Sequence, residues 1–234
     1  MKQHPAHRSL GRFCALLALL CLLGLPAVPT ASAGDVTDAP KLFKSYRYGM
    51  TQADIAAFEP EVGPCEETAG FQAPDGWLCN PGEVRFAESD WLQVFAMGGN
   101  GLNEVRLLTT FDAPTVEKLF AALQGHLPVM IYSDNTIKDV FTVPDRKKFL
   151  LEDFPAAISG SNTRIVLMAQ ADFKLLLDMK GKNLSLFERV EKRLPEARFV
   201  TVNIFSDEET PVLLVNFSVD IWHAKHLTVK KEEF

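Results

Sequence analysis

An apolar run near the N-terminus limits which part of the chain can fold. It covers Phe13–Leu25, follows the basic residues Lys2, Arg8 and Arg12, and precedes the small residues 31–33, Ala-Ser-Ala. A basic segment, a short apolar run and a small-residue site are the three parts of a secretory signal. The run is shorter than a membrane span of about 20 residues, so a retained anchor is the less favoured alternative. We predict that residues 1–33 are a signal peptide.

The net charge of the mature chain limits the classes of molecule that it can bind. The signal removes three of the 24 basic residues and none of the 30 acidic ones, which leaves a strongly acidic mature chain. Phosphate backbones are bound by basic stripes, so the composition disfavours a nucleic-acid partner. No later apolar run is long enough to span a bilayer. We therefore expect a periplasmic or secreted protein without an integral membrane span after cleavage.

Two cysteines remain once the signal is removed. Cys14 and Cys21 leave with it, and Cys65 and Cys79 stay. A single pair in an oxidising compartment predicts one disulfide. A zinc site is the competing interpretation, but it needs more ligands, and no histidine lies near either cysteine in the sequence.

A helix start is encoded just before residue 52. Thr51 and Asp54 have the spacing of a capping box, and Met50 and Ile55 have the spacing of a hydrophobic staple. The pattern predicts a short helix over Gln52–Phe58 that ends before a proline.

Alternating apolar residues indicate an antiparallel meander after a loop-rich stretch. The predicted strands and the helix that follows them cover Val84–Glu88, Trp91–Met97, Leu102–Phe111 and Pro114–Gln124. In the second half we predict a helix over Asp145–Phe154 that Pro155 stops, and a strand over Arg164–Met168. A second capping box at Ser185 predicts another helix start. The segments Arg198–Phe205 and Pro211–Val219 are predicted to form a hairpin. Interspersed helices and strands without regular βαβ spacing predict an α+β fold, an antiparallel sheet with helices packed on one face.

The strand Trp91–Met97 is apolar on both faces. Side chains alternate along a strand, so Leu92, Val94 and Ala96 lie on one face, which we expect under the helices. Trp91, Phe95 and Met97 lie on the other face and are candidate binding residues, because such side chains are enriched at interfaces. We favour the alternative that residues 129–234 bury Trp91 and Phe95, since large exposed apolar patches are uncommon.

The segment 46–111 resembles a known superfamily. Tyr48-Gly49-Met50-Thr51 followed by Cys65 and Cys79 is similar to a motif of the β-lactamase inhibitory protein family, and Gly101-Leu102 with Val105 resembles the closing hairpin of the BamE-like (SmpA/OmlA) outer-membrane lipoproteins. The resemblance implies helices packed on an antiparallel sheet and a protein-binding role. We therefore divide the chain into a signal at 1–33, a domain like these families at 34–128 and an α+β region at 129–234. One option is that the last region packs on the domain at 34–128 to form a single unit.

Candidate catalytic and metal residues are few. His223 and His226 are weak metal candidates, because a zinc site normally needs three or four ligands. Sequence signatures such as a G-x-S-x-G elbow, a P-loop or H-E-x-x-H are absent, and we expect no cofactor. Two hypotheses remain. One is a non-enzymatic envelope protein that binds another envelope protein or assists envelope assembly, and the other is a periplasmic hydrolase or metal-dependent enzyme with a dispersed site in residues 129–234.

Cleavage of the signal is the prediction that the sequence supports most directly. Because Ala31 and Ala33 flank the site as small residues, we expect cleavage after Ala33. Mass spectrometry of the exported protein should give Gly34 as its first residue. Recovery of an exported form that retains Met1 would contradict the prediction.

Overall fold

A computed structural model describes residues 39–65, 76–133, 136–160, 162–179, 184–194, 197–206 and 211–219. The predicted signal and His223 and His226 lie outside these residues. The described part has both helices and a large antiparallel sheet, which confirms the predicted α+β class. No helix within it is long and apolar enough to cross a membrane.

Eleven strands occur in the described residues. They are β1 (Lys41–Phe43), β2 (Tyr46–Arg47), β3 (Gly63–Pro64), β4 (Leu78–Phe86), β5 (Ser89–Gly98), β6 (Gly101–Thr110), β7 (His126–Ser133), β8 (Thr136–Asp139), β9 (Thr163–Ala169), β10 (Phe199–Phe205) and β11 (Val212–Ser218). Strands β1 and β2 pair with each other, and the other nine form one sheet in the order β3-β4-β5-β6-β11-β10-β9-β7-β8. The sheet therefore continues across residue 128, where the sequence-based division had placed a boundary.

The helices of the described residues are short. They are α1 (Gln52–Phe58), α2 (Ala113–Ala122), α3 (Arg146–Lys148), α4 (Phe154–Ile158), α5 (Gln170–Leu177) and α6 (Leu186–Arg193), with a π-helical turn at Phe149–Asp153 between α3 and α4. Both predicted capping boxes are present, at the starts of α1 and α6. In the first box the Thr51 hydroxyl accepts a hydrogen bond from the Asp54 backbone N–H at 3.2 Å.

The predicted stop at Pro155 is wrong. The Phe154 N–H donates to the Phe149 carbonyl, which closes a π-type turn, and α4 then starts with Pro155 in its first turn. Proline is tolerated there because the first helical N–H groups have no intrahelical acceptor. The chain therefore passes the proline by a local change of hydrogen-bond register. Lys138 of β8 holds this turn against the sheet through an ion pair of 2.8 Å with Asp153.

One face of the sheet carries an aromatic and aliphatic core. Residues directly opposite each other in antiparallel strands share a face. Phe95 pairs with Val105, Val105 pairs with Phe217, and Phe217 pairs with Val200, so the four lie on one face across β5, β6, β11 and β10. These side chains belong to the same buried cluster as residues of α1 and α2.

Strand β5 alternates as predicted, but its two faces are interchanged relative to the expectation. Trp91 and Phe95 are fully buried members of the core cluster that includes helical residues, whereas Val94 and Ala96 are buried outside that cluster. The polar Gln93 lies on the core face and is also buried. The strand is apolar on both faces, so alternation alone does not identify the core face.

A glycine contact joins the start of β6 to the chain before α1. The Gly49 N–H donates to the Leu102 carbonyl and the Leu102 N–H donates to the Met50 carbonyl, both at 2.8 Å. A Cβ at Gly101 would lie 2.5 Å from the Gly49 carbonyl oxygen, and the backbone there has a φ of +97°. The two sequence segments that carry the family resemblance thus contact each other, and only glycine fits at their junction.

We expect Gly101→Ala to lower the free energy of unfolding by about 2 kcal/mol or more, because it adds a left-handed backbone penalty and a backbone clash. Gly99→Ala in the same turn is the matched control, since a Cβ there has open space. The control should change stability by no more than about 0.5 kcal/mol. Urea unfolding midpoints measure both, and equal midpoints for the two variants would show that the junction tolerates a side chain.

Candidate functional site

The three binding candidates from the sequence do not form an open surface. Trp91 and Phe95 are fully buried, as the packing interpretation expected, and Met97 is partly buried against the same core. The nearest rings come from the first half of the chain, because Tyr46 packs against Phe95 and Phe86 packs against Trp91. These ring contacts lie within the first half of the chain, while the buried cluster that contains Trp91 and Phe95 includes residues of both halves. Burial leaves the three residues without support for a binding role.

The opposite face of the sheet carries a row of six side chains across six strands. The register pairs Leu92 with Leu108, Leu108 with Leu214, Leu214 with Asn203, Asn203 with Arg164, and Arg164 with Tyr132. We call these six residues the Leu–Arg row. All except the buried Asn203 are partly exposed. The row therefore changes from apolar to polar along its length while remaining accessible.

An arginine lies beside the apolar half of the row. Arg106 is two residues from Leu108 on β6 and so shares its face. Its Nε donates to Glu104 Oε1 at 2.7 Å and its Nη2 donates to Glu104 Oε2 at 3.4 Å. The Glu104 side chain is fully buried, and a paired guanidinium compensates its charge. Arg106 and Glu104 thus form a nearly neutral unit.

The disulfide positions an aromatic ring over Arg106. Cys65 and Cys79 are bonded, with Cα atoms 4.8 Å apart, which confirms the predicted pairing. Cys79 lies opposite Val94, so Trp77, two residues earlier, points to the same face as the Leu–Arg row. The Arg106 guanidinium lies 4.2 Å from the centroid of the Trp77 ring, a cation–π arrangement. The disulfide therefore restrains the segment that carries Trp77, and the Trp77 ring orients Arg106.

Arg164 is the central charge of the polar half. Its Nε donates to Asn203 Oδ1, which orients the guanidinium along the sheet. No carboxylate of the described residues lies within ion-pair distance of Arg164. Burial lowers the pKa of Arg164, and the charge of Arg106 lowers it further. Tyr132 and Glu104 act in the opposite direction and raise it. Arginine nevertheless stays protonated in proteins, so the site keeps a positive charge at neutral pH.

The sequence contained a signal for these residues. Arg106, Asn203 and Asn216 are each flanked by apolar residues on both sides within their strands, and Arg164 is followed by the apolar run Ile165–Ala169. An isolated polar residue on a strand marks a face that differs from the core. The pattern could have flagged each residue singly, but the strand order that brings them together is not readable from it.

A second buried polar centre lies at the end of β8, around its last residue, Asp139. Asp139 accepts hydrogen bonds from the Phe141 N–H at 2.8 Å and from the Leu186 N–H at 2.7 Å. Burial raises the pKa of Asp139, and the two backbone donors oppose that rise. Arg189 donates to the carbonyls of Leu184 and Leu176. Backbone partners dominate this centre, and it fastens α6 to the sheet.

Metal ligation finds no support in the described residues, which contain no group of three or more His, Cys, Asp or Glu side chains suited to a metal ion.

The chain matches no known protein family, no curated protein and no solved structure. The family resemblance of residues 46–111 stays a prediction based on its motif.

We expect Asp139→Asn to lower the free energy of unfolding by about 1–3 kcal/mol, because the amide leaves one buried backbone N–H facing another donor. Asp145→Asn is the matched control. Asp145 is an exposed helix N-cap that accepts one backbone hydrogen bond, and asparagine caps as well as aspartate. Thermal or urea unfolding measures both variants. Equal losses in the two would show that the Asp139 carboxylate has no special role.

Proposed function

We propose that this chain is an exported envelope protein without enzymatic activity, which binds another protein of the envelope through the sheet face that carries the Leu–Arg row. The observation that carries the proposal is the partial exposure of three leucines at neighbouring positions, Leu92, Leu108 and Leu214. The second face of an antiparallel sheet is usually polar when only water covers it. Three adjoining leucines on this face therefore favour a face that another protein covers.

The residues around the leucines have the composition of an interface. Arg106, Trp77, Arg164 and Tyr132 are of the types enriched where binding energy concentrates. An arginine stacked on an aromatic ring, as Arg106 is on Trp77, loses little freedom when a partner docks, because its geometry is already set. The face thus combines apolar contact area with oriented polar groups.

The charge distribution supports a particular orientation toward the partner. The chain as a whole is acidic, with 30 acidic against 24 basic residues. The Leu–Arg row with Arg106 instead carries two guanidinium groups against the single carboxylate of Glu104. Complementary potentials steer association and select among partners, so an acidic patch on the partner should face this row.

Two further observations support the compartment and the class of function. A disulfide is compatible with an oxidising space outside the cytoplasm, in agreement with the secretory signal in the sequence. The families that residues 46–111 resemble act by binding proteins. The first observation supports export, and the second favours a binding role over catalysis.

Affinity capture of the exported protein from native envelope extract tests the proposal. We expect Leu108→Glu to reduce recovery of a stoichiometric partner at least about tenfold, which corresponds to about 1.4 kcal/mol of binding free energy. The reason is that a carboxylate in the centre of the apolar row would lose its hydration in the complex and would repel the acidic patch expected on the partner.

Leu151→Glu is the matched control, because Leu151 is 64% exposed on the π-helical turn and lies outside the row. It should leave capture unchanged. Unfolding midpoints of both variants show whether they fold. Absence of any stoichiometric partner, or equal capture by both variants, would contradict the proposed function.

A further inference from the structure

The two arginines at the Leu–Arg row, Arg106 and Arg164, differ in their charge partners. Arg106 and Glu104 form a bidentate pair, so their charges compensate each other. Arg164 has only the neutral Asn203 amide as a hydrogen-bond partner among the described residues. A partly buried guanidinium without a counter-charge is costly, because it loses hydration without gaining an ion pair. Of these two arginines, Arg164 is therefore the one that lacks an ion pair within the described residues.

The geometry of Arg164 leaves a defined part of the guanidinium for a ligand. Its Nε–H is used by Asn203 Oδ1, and Asn203 itself is buried at 2% exposure. Within the described residues, no acceptor is hydrogen-bonded to Nη1 or Nη2. Two parallel N–H groups at the end of a planar fork match the two oxygens of a carboxylate.

We propose that Arg164, oriented by Asn203, binds one carboxylate of the partner protein, while the neighbouring leucines receive the apolar residues next to that carboxylate. This inference rests on the proposed function and names the chemistry of its partner. The partner presents an acidic side chain or a chain terminus that adjoins an apolar segment.

A carboxylate fits this site better than a phosphate. One unpaired guanidinium matches one negative charge, whereas a phosphate monoester carries about −1.5 to −2 at neutral pH. Glu104 would add repulsion toward a dianion, since its charge lies within electrostatic range of Arg164. A single carboxylate would pair with the charge of Arg164 without adding a second negative charge.

The spacing of the row determines what lies next to the carboxylate. Asn203 separates Arg164 from Leu214, and neighbouring strands lie about 4.8 Å apart. Leu214 is thus about 10 Å from Arg164 across the sheet, and Leu108 is one strand farther. One or two apolar residues adjoining a carboxylate cover that distance. The arrangement favours a short apolar-acidic segment over an isolated acid.

The test is a chemical-shift titration of the isotope-labelled exported protein with N-acetyl-leucyl-leucine, its C-terminal amide and inorganic phosphate. We expect the acid to shift the signals of Arg164, Asn203 and Leu214, with saturation in the millimolar range that is usual for small ligands. The amide should bind at least about tenfold more weakly, because it lacks the charge that pairs with the guanidinium. This comparison needs no variant.

Arg164→Gln should reduce binding of the acid at least about tenfold and bring it to the level of the amide. Arg85→Gln is the matched control, because Arg85 is an exposed arginine paired with Asp90 on the β4–β5 hairpin, at the opposite end of the row from Arg164. It should leave binding unchanged. Equal binding of acid and amide to the unaltered protein, or stronger binding of phosphate than of the acid, would overturn the inference.

Capture from envelope extract separates this inference from the proposed function. If the inference is correct, Arg164→Gln weakens capture of the same partner that Leu108→Glu loses, while Arg85→Gln captures it fully. If Leu108→Glu loses the partner and Arg164→Gln keeps it, the function stands and the carboxylate site is wrong. If no partner is captured although the acid binds at Arg164, the proposed function is wrong and the carboxylate site stands.

Discussion

The pairing of β6 with β11 is the constraint on which the rest of the structure depends. These strands are far apart in the sequence, and the loop-closure entropy of bringing them together must be offset by the contacts they make. On one face the pairing places Val105 beside Phe217, whose ring also contacts Phe43 and Phe86. On the other face it places Leu108 beside Leu214. One register thus forms both the aromatic core and the apolar part of the candidate site.

The two faces of the sheet around β5 have different roles because its large aromatic residues both lie on one of them. Trp91 and Phe95 fill the core, so the opposite face is left for smaller apolar and polar side chains. The disulfide acts on that second face, since it holds the chain around Trp77 and thereby the partner ring of Arg106. Stability of the core and orientation of the site are therefore coupled through β4, β5 and β6.

Sequence reasoning succeeded where the determinants lie within one turn or one strand. The capping boxes at Thr51 and Ser185 predicted two helix starts correctly, because a cap is formed by residues three positions apart. It failed where a local rule had an alternative solution. The π-helical turn lets the chain continue through Pro155, and β5 is apolar on both faces, so alternation alone did not identify its core face. Strands β7 and β8 and helix α5 gave no comparably distinct signal.

The sequence by itself determined the secretory pattern, the acidic balance, the cysteine pair and most of the element types, since each depends on composition or on short spacing. It also placed polar residues between apolar ones in several strands. Only the tertiary structure decided that Arg164, Asn203 and Leu214 are neighbours and that Arg106 lies beside them paired with Glu104. The physical reason is that cross-strand neighbours follow from strand order and register, and both are selected by burial of the whole core face and not by any local segment.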